Sequence, residues 1–381
     1  MLTGLHPFST GVYMFEQINP TELPILPQYL KERHYFTAGI GKVFHPKYNI
    51  ENVWDFNFEL YDNLYNFIKQ KDDPLSAQNF CYGPVDISVE DTHDYKIAQQ
   101  ASNFIQSQKN NPWFLAVGLH TPHTPLFAPQ EFFKKIPKNI VKKPTVPDDD
   151  LNDIPEAGIK LVTKFDKVDI HQLVLERNIW EEIIYAYLVR IAFLDELIGG
   201  ILRNLEESGM LNNTCIFLCG DNGWHLGEKK RWQKFTLWQE AVKVPLIAHL
   251  PDGYKGGLTI KEPAGLIDIF PTITDILSLN KPEKLEGKSL LPLIEKQIEN
   301  PYVVISQIEN NNFAFRTKRY SYIVYYDGSE ELYDYQSDPG EWNNIAHLEE
   351  SQKIKKNIIS SLPENQRAKL ASFINKDISR L

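Results

Sequence analysis

Three cysteines, Cys81, Cys215 and Cys219, are too few in 381 residues for a disulfide framework. Cys215 and Cys219 lie four apart in one apolar run. At strand rise that is about 13 Å, too far to pair, so both read as core residues. No apolar run approaches the ~20 residues of a membrane-spanning helix, so no membrane span is expected. The opening residues MLTGLHPFST have neither a basic start nor an apolar stretch, so no signal peptide is expected in the chain as written. Cations are in deficit: 40 Lys and Arg against 50 Asp and Glu leave a net charge of −10, which argues against nucleic acid as a partner. A Gly-rich phosphate loop and a Gly-x-Ser-x-Gly elbow are both missing, which points away from P-loop kinases and serine esterases.

What is present suffices for a large core. Hydrophobic residues make up 42% of the chain and aromatics 12%, the composition of an ordinary globular protein of one large domain with an appendage, or of two domains. Helical and strand patterns alternate. A helix near Pro27–Arg33 precedes a strand at Phe36–Ile40. Ile97, Ala101, Phe104 and Ile105 mark a helix over Asp94–Gln108, followed by a buried strand at Trp113–Leu119. Residues 129–170, rich in Pro, Asp and Lys, read as a long surface excursion. Trp180–Leu205 is strongly helical and stops at Ser208-Gly209. Strands at Thr214–Leu218 and Val244–Leu250 and a helix around Pro271 follow. This alternation predicts a doubly wound, mostly parallel α/β sheet. After about residue 300, close-spaced aromatic strands predict a small C-terminal antiparallel sheet, finished by a terminal helix from about Glu349 to Phe373. Asn212-Asn213-Thr214 is a glycosylation acceptor if the chain is secreted.

Ligands of open α/β sheets bind beyond the carboxyl ends of strands, and three polar clusters fall there. They are Lys42 and His45 in GKVFHP, His120 and His123 in HTPHTP, and Asp221, Asn222 and Lys234 in CGDNGWHLGEKKRWQK. Singly, each has a bland reading as a loop hydrogen-bonder or a solvated face. Their recurrence at strand ends favours a site. Asp221 and Asn222 are hard oxygen ligands suited to Ca²⁺ or Mg²⁺. Lys42, Lys234 and the histidines offer donors to a tetrahedral oxyanion and an acid for a leaving alcohol. Gly220 and Gly223 allow close approach of the backbone. Such a set suits a sulfate- or phosphate-ester hydrolase.

In order along the chain, LTGLHPFSTGVY, LPQYLKERHYFTAGIGKVFHP, PWFLAVGLHTPHTP, FLDELIGGILRNLEESGMLNNTCIFLCGDNGWHLGEKKRWQK, VPLIAHLPD and ELYDYQSDPGEWNNIA resemble the sulfatase family of the alkaline-phosphatase superfamily. The resemblance is closest to iduronate-2-sulfatases, whose Lys-x-x-His spacing Lys42 and His45 share. It implies an alkaline-phosphatase-like fold, with a catalytic α/β domain over residues 1–298 and a C-terminal subdomain over 299–381. It also implies a sulfuric ester hydrolase acting on sulfated sugars or glycosaminoglycans, in a lysosomal or extracellular setting. Asp221 and Asn222 would complete a Ca²⁺ site. Lys42 and His45 would hold the nucleophile's hydroxyls and a sulfate oxygen. His123 and Lys234 would contact the sulfate and its bridging oxygen, with His123 the acid for the leaving group, and Trp224 would shape the sugar pocket. His120 and His225 read as structural, and Lys229, Lys230 and Arg231 as a cationic rim.

The sequence departs from that family in one respect. It contains no Cys-x-Pro-Ser-Arg signature, whose cysteine becomes the formylglycine nucleophile, and no strand ending in Asp-Asp to complete the metal site. The expectation is therefore a fragment or inactive form in which a central strand is missing and two neighbouring strands lie unpaired. Formylglycine-generating enzyme would be a partner only of a longer form. The alternatives are a non-catalytic sulfatase-fold protein that binds anionic glycans and a phosphoesterase of the same superfamily.

Overall fold

The computed structural model describes residues 1–14, 22–45, 52–69, 73–108, 111–164, 168–254, 256–295 and 302–373. Five strands occupy the first third: β1 (Phe36–Gly41), β2 (Phe56–Phe58), β3 (Tyr82–Val85), β4 (Trp113–Gly118) and β5 (Leu126–Pro129). The apolar run of β1 is buried along almost its whole length, and it pairs in parallel with β2 on one side and β4 on the other. Continuous apolar strands of this kind need cover on their faces, and the helix His93–Ser107 provides it. Thr92 caps that helix by accepting from the Tyr95 N–H, and Ile97, Ala101 and Phe104 pack on Ala38 and Ile40. The long helix Trp180–Glu207 packs against it and over β3 and β5, which form a second parallel pair.

Two glycines fix how β1 and β4 end. At Gly41 (φ +78) a Cβ would lie 2.2 Å from the Gly118 carbonyl oxygen, and at Gly118 it would lie 2.0 Å from the Lys42 carbonyl oxygen. Only glycine tolerates that approach. It lets the Lys42 N–H donate to Gly118 O at 2.7 Å, which sets Lys42 beside the loop that leaves β4.

The middle of the chain contributes β6 (Ile216–Cys219), β7 (His225–Leu226), β8 (Trp232–Gln233) and β9 (Leu246–His249). β6 and β9 run antiparallel, a local departure from the mostly parallel order. Among the described residues, β4 and β6 each have one edge without a strand partner. Leu218 and Ile247 on the β6–β9 pair are 37% and 58% exposed.

The last part is a four-stranded antiparallel meander, β10 (Val304–Ile308), β11 (Asn312–Arg316), β12 (Tyr320–Val324) and β13 (Glu330–Asp334). Two sequence expectations change here. Residues 129–170 are not wholly a surface excursion: Ala157, Leu161 and Val162 on the helix Glu156–Thr163 join Trp238, Ala314, Ile323 and Tyr325 in one buried cluster, drawn from both sides of the expected boundary between 298 and 299. The terminal helix is two helices, Glu349–Ser360 and Glu364–Ala371, with Pro363 at the N-cap of the second. A proline at that point cannot donate to the preceding turn.

Candidate anion-binding site

The polar loops that follow β1, β4 and β6 supply the candidate residues. Lys42 leaves β1, and the His123 loop leaves β4. His123 is half-buried, and its Nδ1 lies 2.6 Å from Thr124 O. A carbonyl only accepts, so Nδ1 carries the hydrogen and Nε2 keeps its lone pair. Burial depresses the imidazole pKa to about 4, helped by the charges of Lys42, Lys234 and Arg190, although the Thr124 hydrogen bond opposes the shift. The ring is therefore neutral at pH 7. It senses Lys42 and Lys234 together, which brings the ends of separate strands to one place.

Lys234 is the other half of the cluster. Its ammonium donates to Asn222 Oδ1 at 3.0 Å. Burial lowers its pKa and the Lys42 charge lowers it further, while Asp221 pulls the other way. Asn222 in turn donates to Gly223 O at 2.8 Å. At Gly223 a Cβ would lie 2.0 Å from Glu240 O, so the loop passes hard against the turn before β9. Trp224 stands beside the cluster, edge-on to His123 (6.4 Å between centroids) and stacked on Tyr187 at 6.3 Å. Its indole N–H is buried without an acceptor among the described residues. His45 is half-buried at the end of its described stretch.

Two neighbouring histidines are engaged in hydrogen bonds within the fold. His225 is fully buried, Nε2 lies 2.8 Å from Thr236 Oγ1, and burial pushes its pKa down to about 3. The backbone N–H groups of His120 and Thr121 each donate to the buried Asp94 carboxylate at 2.9 Å. Burial alone would raise Asp94, but hydrogen bonds from His120 and Thr121 and the Arg190 charge bring it down to about 2.

The cationic rim is not as expected. Lys229 and Arg231 are buried. Lys229 donates to Asp150 Oδ1 at 2.6 Å and to the Glu341 carbonyl, and it sits 5.7 and 5.4 Å from the Trp238 and Tyr333 ring centroids. Lys230 reaches Asp148 O at 2.6 Å. The backbone explains the difference: Lys229 and Lys230 have φ of +56 and +53, so the hairpin turns back on itself and sends Lys229 inward. These cations tie the loop to residues 148–150 and to the C-terminal part. They leave Lys234, flanked by Gln233 and Phe235 at φ +67 and +71, facing the cluster.

The sequence also places Asp221 next to a buried strand end, whereas its side chain is exposed, because β6 has a free edge there. Among the described residues no three His, Cys, Asp or Glu side chains are grouped to hold a metal. Asp221 and Asn222 offer three side-chain oxygens, one already accepting from Lys234, against the six to eight that Ca²⁺ takes. By themselves they do not fit Ca²⁺.

Sequence reasoning missed three neighbours: Tyr65, whose hydroxyl lies 3.3 Å from His123 Nδ1, and the buried ion pair Arg190–Asp62. A signal existed for Arg190. It falls on the buried stripe Ile183, Ala186, Phe193 and Leu197, where an unpaired charge is costly.

The family profile described as Sulfatase matches residues 1–279, and that of N-sulphoglucosamine sulphohydrolase, C-terminal, matches residues 227–368. The chain belongs to the sulfatase family. This sulfatase-family chain is 31% identical over 373 residues to a sulfatase of Formosa agariphila, a match that covers 91% of this chain and 72% of the relative. Iduronate 2-sulfatases of Mus musculus and Homo sapiens are 30% and 29% identical, covering 71% and 76% of this chain. The chain spans only 52% and 63% of their lengths. Among solved structures, BT4656 in complex with its substrate D-glucosamine-2-N,6-O-disulfate superposes with a TM-score of 0.70 at 20% identity, covering 97% of this chain and 87% of that one. The phosphonate monoester hydrolase of Silicibacter pomeroyi does so with 0.76 at 18% identity, covering 94% and 83%. These likenesses establish the alkaline-phosphatase-like α/β fold. No described helix of this sulfatase-family chain is long and apolar enough to cross a membrane.

Proposed function

We propose that the cluster of Lys42, His123 and Lys234 recognises the sulfate group of a sulfated sugar, and that the protein serves as a sulfuric ester hydrolase of the iduronate-2-sulfatase type. The observation that carries this reading is that Trp224 lies edge-on to His123 and stacked on Tyr187 while Asn222, two residues before it, accepts from Lys234, with the charges of Lys42 and Lys234 both reaching His123. Two ammonium groups held in a partly buried site suit a tetrahedral oxyanion, because charge interactions strengthen where water is excluded. Lys234 and Lys42 bind sulfate oxygens, and His45 supports them. Trp224 offers a flat apolar surface against which a sugar ring packs.

His123 supplies the acid. Neutral in the free protein, it takes a proton on Nε2 when a bound anion offsets the cations that depress it, and then donates that proton to the departing sugar oxygen. In this reading, Asp221 and Asn222 contribute part of a Ca²⁺ site whose remaining ligands lie outside them, and the ion would stabilise negative charge on the ester. By the family resemblance the nucleophile would be a formylglycine, whose Cys-x-Pro-Ser-Arg signature this sequence does not contain. The likeness to iduronate 2-sulfatases supports a lysosomal or extracellular setting.

The test is release of sulfate from a 2-O-sulfated iduronate disaccharide by a version extended upstream to carry the signature, with the matching phosphate ester as control. Preferential sulfate release that collapses in Lys234→Ala supports the proposal. Preference for the phosphate ester, or turnover indifferent to Lys234, contradicts it.

A further inference from the structure

Arg190 is an unusual occupant of its helix. It is fully buried midway along Trp180–Glu207, and its guanidinium donates to two separate segments, residues 123–127 and Asp62. Nη1 donates to Phe127 O at 2.9 Å, and Nη2 donates to His123 O at 3.1 Å and to Asp62 Oδ2 at 3.3 Å. The other oxygen of Asp62 accepts from the Leu64 N–H at 3.0 Å and so caps the short 3₁₀ turn Asn63–Phe67. Asn63 pins the same turn to the start of the helix His93–Ser107, accepting from His93 N and donating to Asp91 O, each at 3.0 Å. The turn presents Tyr65, 37% exposed, with its hydroxyl 3.3 Å from His123 Nδ1. A single buried ion pair thus holds both the His123 backbone and the turn that carries Tyr65.

The hydrogen of His123 Nδ1 lies between Thr124 O and the Tyr65 oxygen, both acceptors toward it. The Tyr65 hydroxyl hydrogen then has no call on the imidazole and is free to point into the site. We propose that Tyr65 is a substrate-contacting residue, donating its hydroxyl hydrogen to a sulfate oxygen, and that Arg190 and Asp62 are positioning residues that fix Tyr65 and His123 relative to each other. The inference rests on the sulfate-binding reading of the Lys42–His123–Lys234 cluster.

The experiment measures binding of inorganic sulfate by calorimetry to the 381-residue chain and to Tyr65→Phe, Asp62→Asn, the double variant and Lys234→Ala. Tyr65→Phe removes one hydroxyl from a partly exposed ring and preserves the fold. Asn at position 62 has one acceptor oxygen, so it can cap Leu64 or accept from Arg190, but not both. Each single change should raise the dissociation constant between about threefold and tenfold, the range for one hydrogen bond. The double variant should bind no worse than either single, because Asp62 acts through Tyr65. A merely structural Asp62 would instead give additive losses, and that result overturns the positioning assignment. Sulfate affinity unchanged in Tyr65→Phe, with Lys234→Ala still abolishing binding, overturns the role of Tyr65 and leaves the anion site standing. Absence of sulfate binding in the unmodified chain overturns both.

Discussion

Replacing Lys229 with Met should destabilise the fold rather than weaken substrate capture. The Lys229 and Asp150 side chains are 2% and 1% exposed and only 2.6 Å apart. Removing the ammonium leaves Asp150 buried without its cation and takes a donor from the Glu341 carbonyl. Breaking one partner of a buried pair costs about 3–5 kcal/mol, which lowers the melting midpoint by about 4–6 °C in a chain of this size. The loss depends on pH with a definite sign. Burial raises the Asp150 pKa and Lys229 opposes that rise. Without Lys229 the carboxyl's folded pKa climbs further above its unfolded value, so Asp150 is accommodated as a neutral acid at low pH. The penalty grows as pH rises through the folded value. Lys229→Met should therefore lose more stability at pH 8 than at pH 5. Adding Asp150→Leu should recover most of the loss, because a well-packed apolar pair replaces a buried ion pair at little cost. Chemical denaturation of the unmodified protein and the two variants at both pH values is the assay. A stability change below about 1 kcal/mol, together with a changed salt dependence of sulfate binding, would refute this reasoning and restore Lys229 to the rim.

Other expectations follow from the same geometry. Trp224→Ala should leave binding of inorganic sulfate nearly intact and weaken a sulfated disaccharide by about tenfold, as calorimetry would show, since the indole packs on the sugar and not on the anion. Ile247→Lys should reduce aggregation in light scattering without lowering the melting midpoint, because Ile247 is 58% exposed on the β6–β9 pair and β6 has a free edge. Lys42→Ala should raise the pKa of His123 above its value of about 4, read by imidazole NMR, because one of the cations that depress it is gone.

The elements with strong periodicity were legible in the sequence. The helix Trp180–Glu207 and the strands at residues 36–41 and 113–118 lie within two residues of where their patterns place them. The aromatic strands after residue 300 form the expected antiparallel sheet. What the sequence concealed depends on contacts distant along the chain. The Lys229-Lys230-Arg231 run looks solvated until positive φ turns it inward toward Asp150, and nothing local announces that. The helix Glu156–Thr163 hides in a Pro-rich segment because its partners, Trp238 and Tyr325, lie far ahead in the chain. For the candidate site, strand-end position singles out Lys42, His123 and Lys234 as candidates. Tyr65 and Asp62 sit in a stretch with no repeating pattern, and only Arg190, a charge on an apolar stripe, pointed toward them. The sequence puts Asp221 at a strand end, and the free edge of β6 leaves its side chain exposed.

The central claim is that Lys42, His123 and Lys234 form one sulfate-binding site, and titration of the His123 imidazole by NMR, with and without sulfate, tests it most directly. Without sulfate the ring should titrate near pH 4. With sulfate at saturation its pKa should rise by a unit or more, on the order of the interaction between adjacent opposite charges in a partly buried site, and Lys234→Ala should abolish that rise. A His123 titration that sulfate leaves unmoved, at concentrations that bind elsewhere on the protein, would contradict the account.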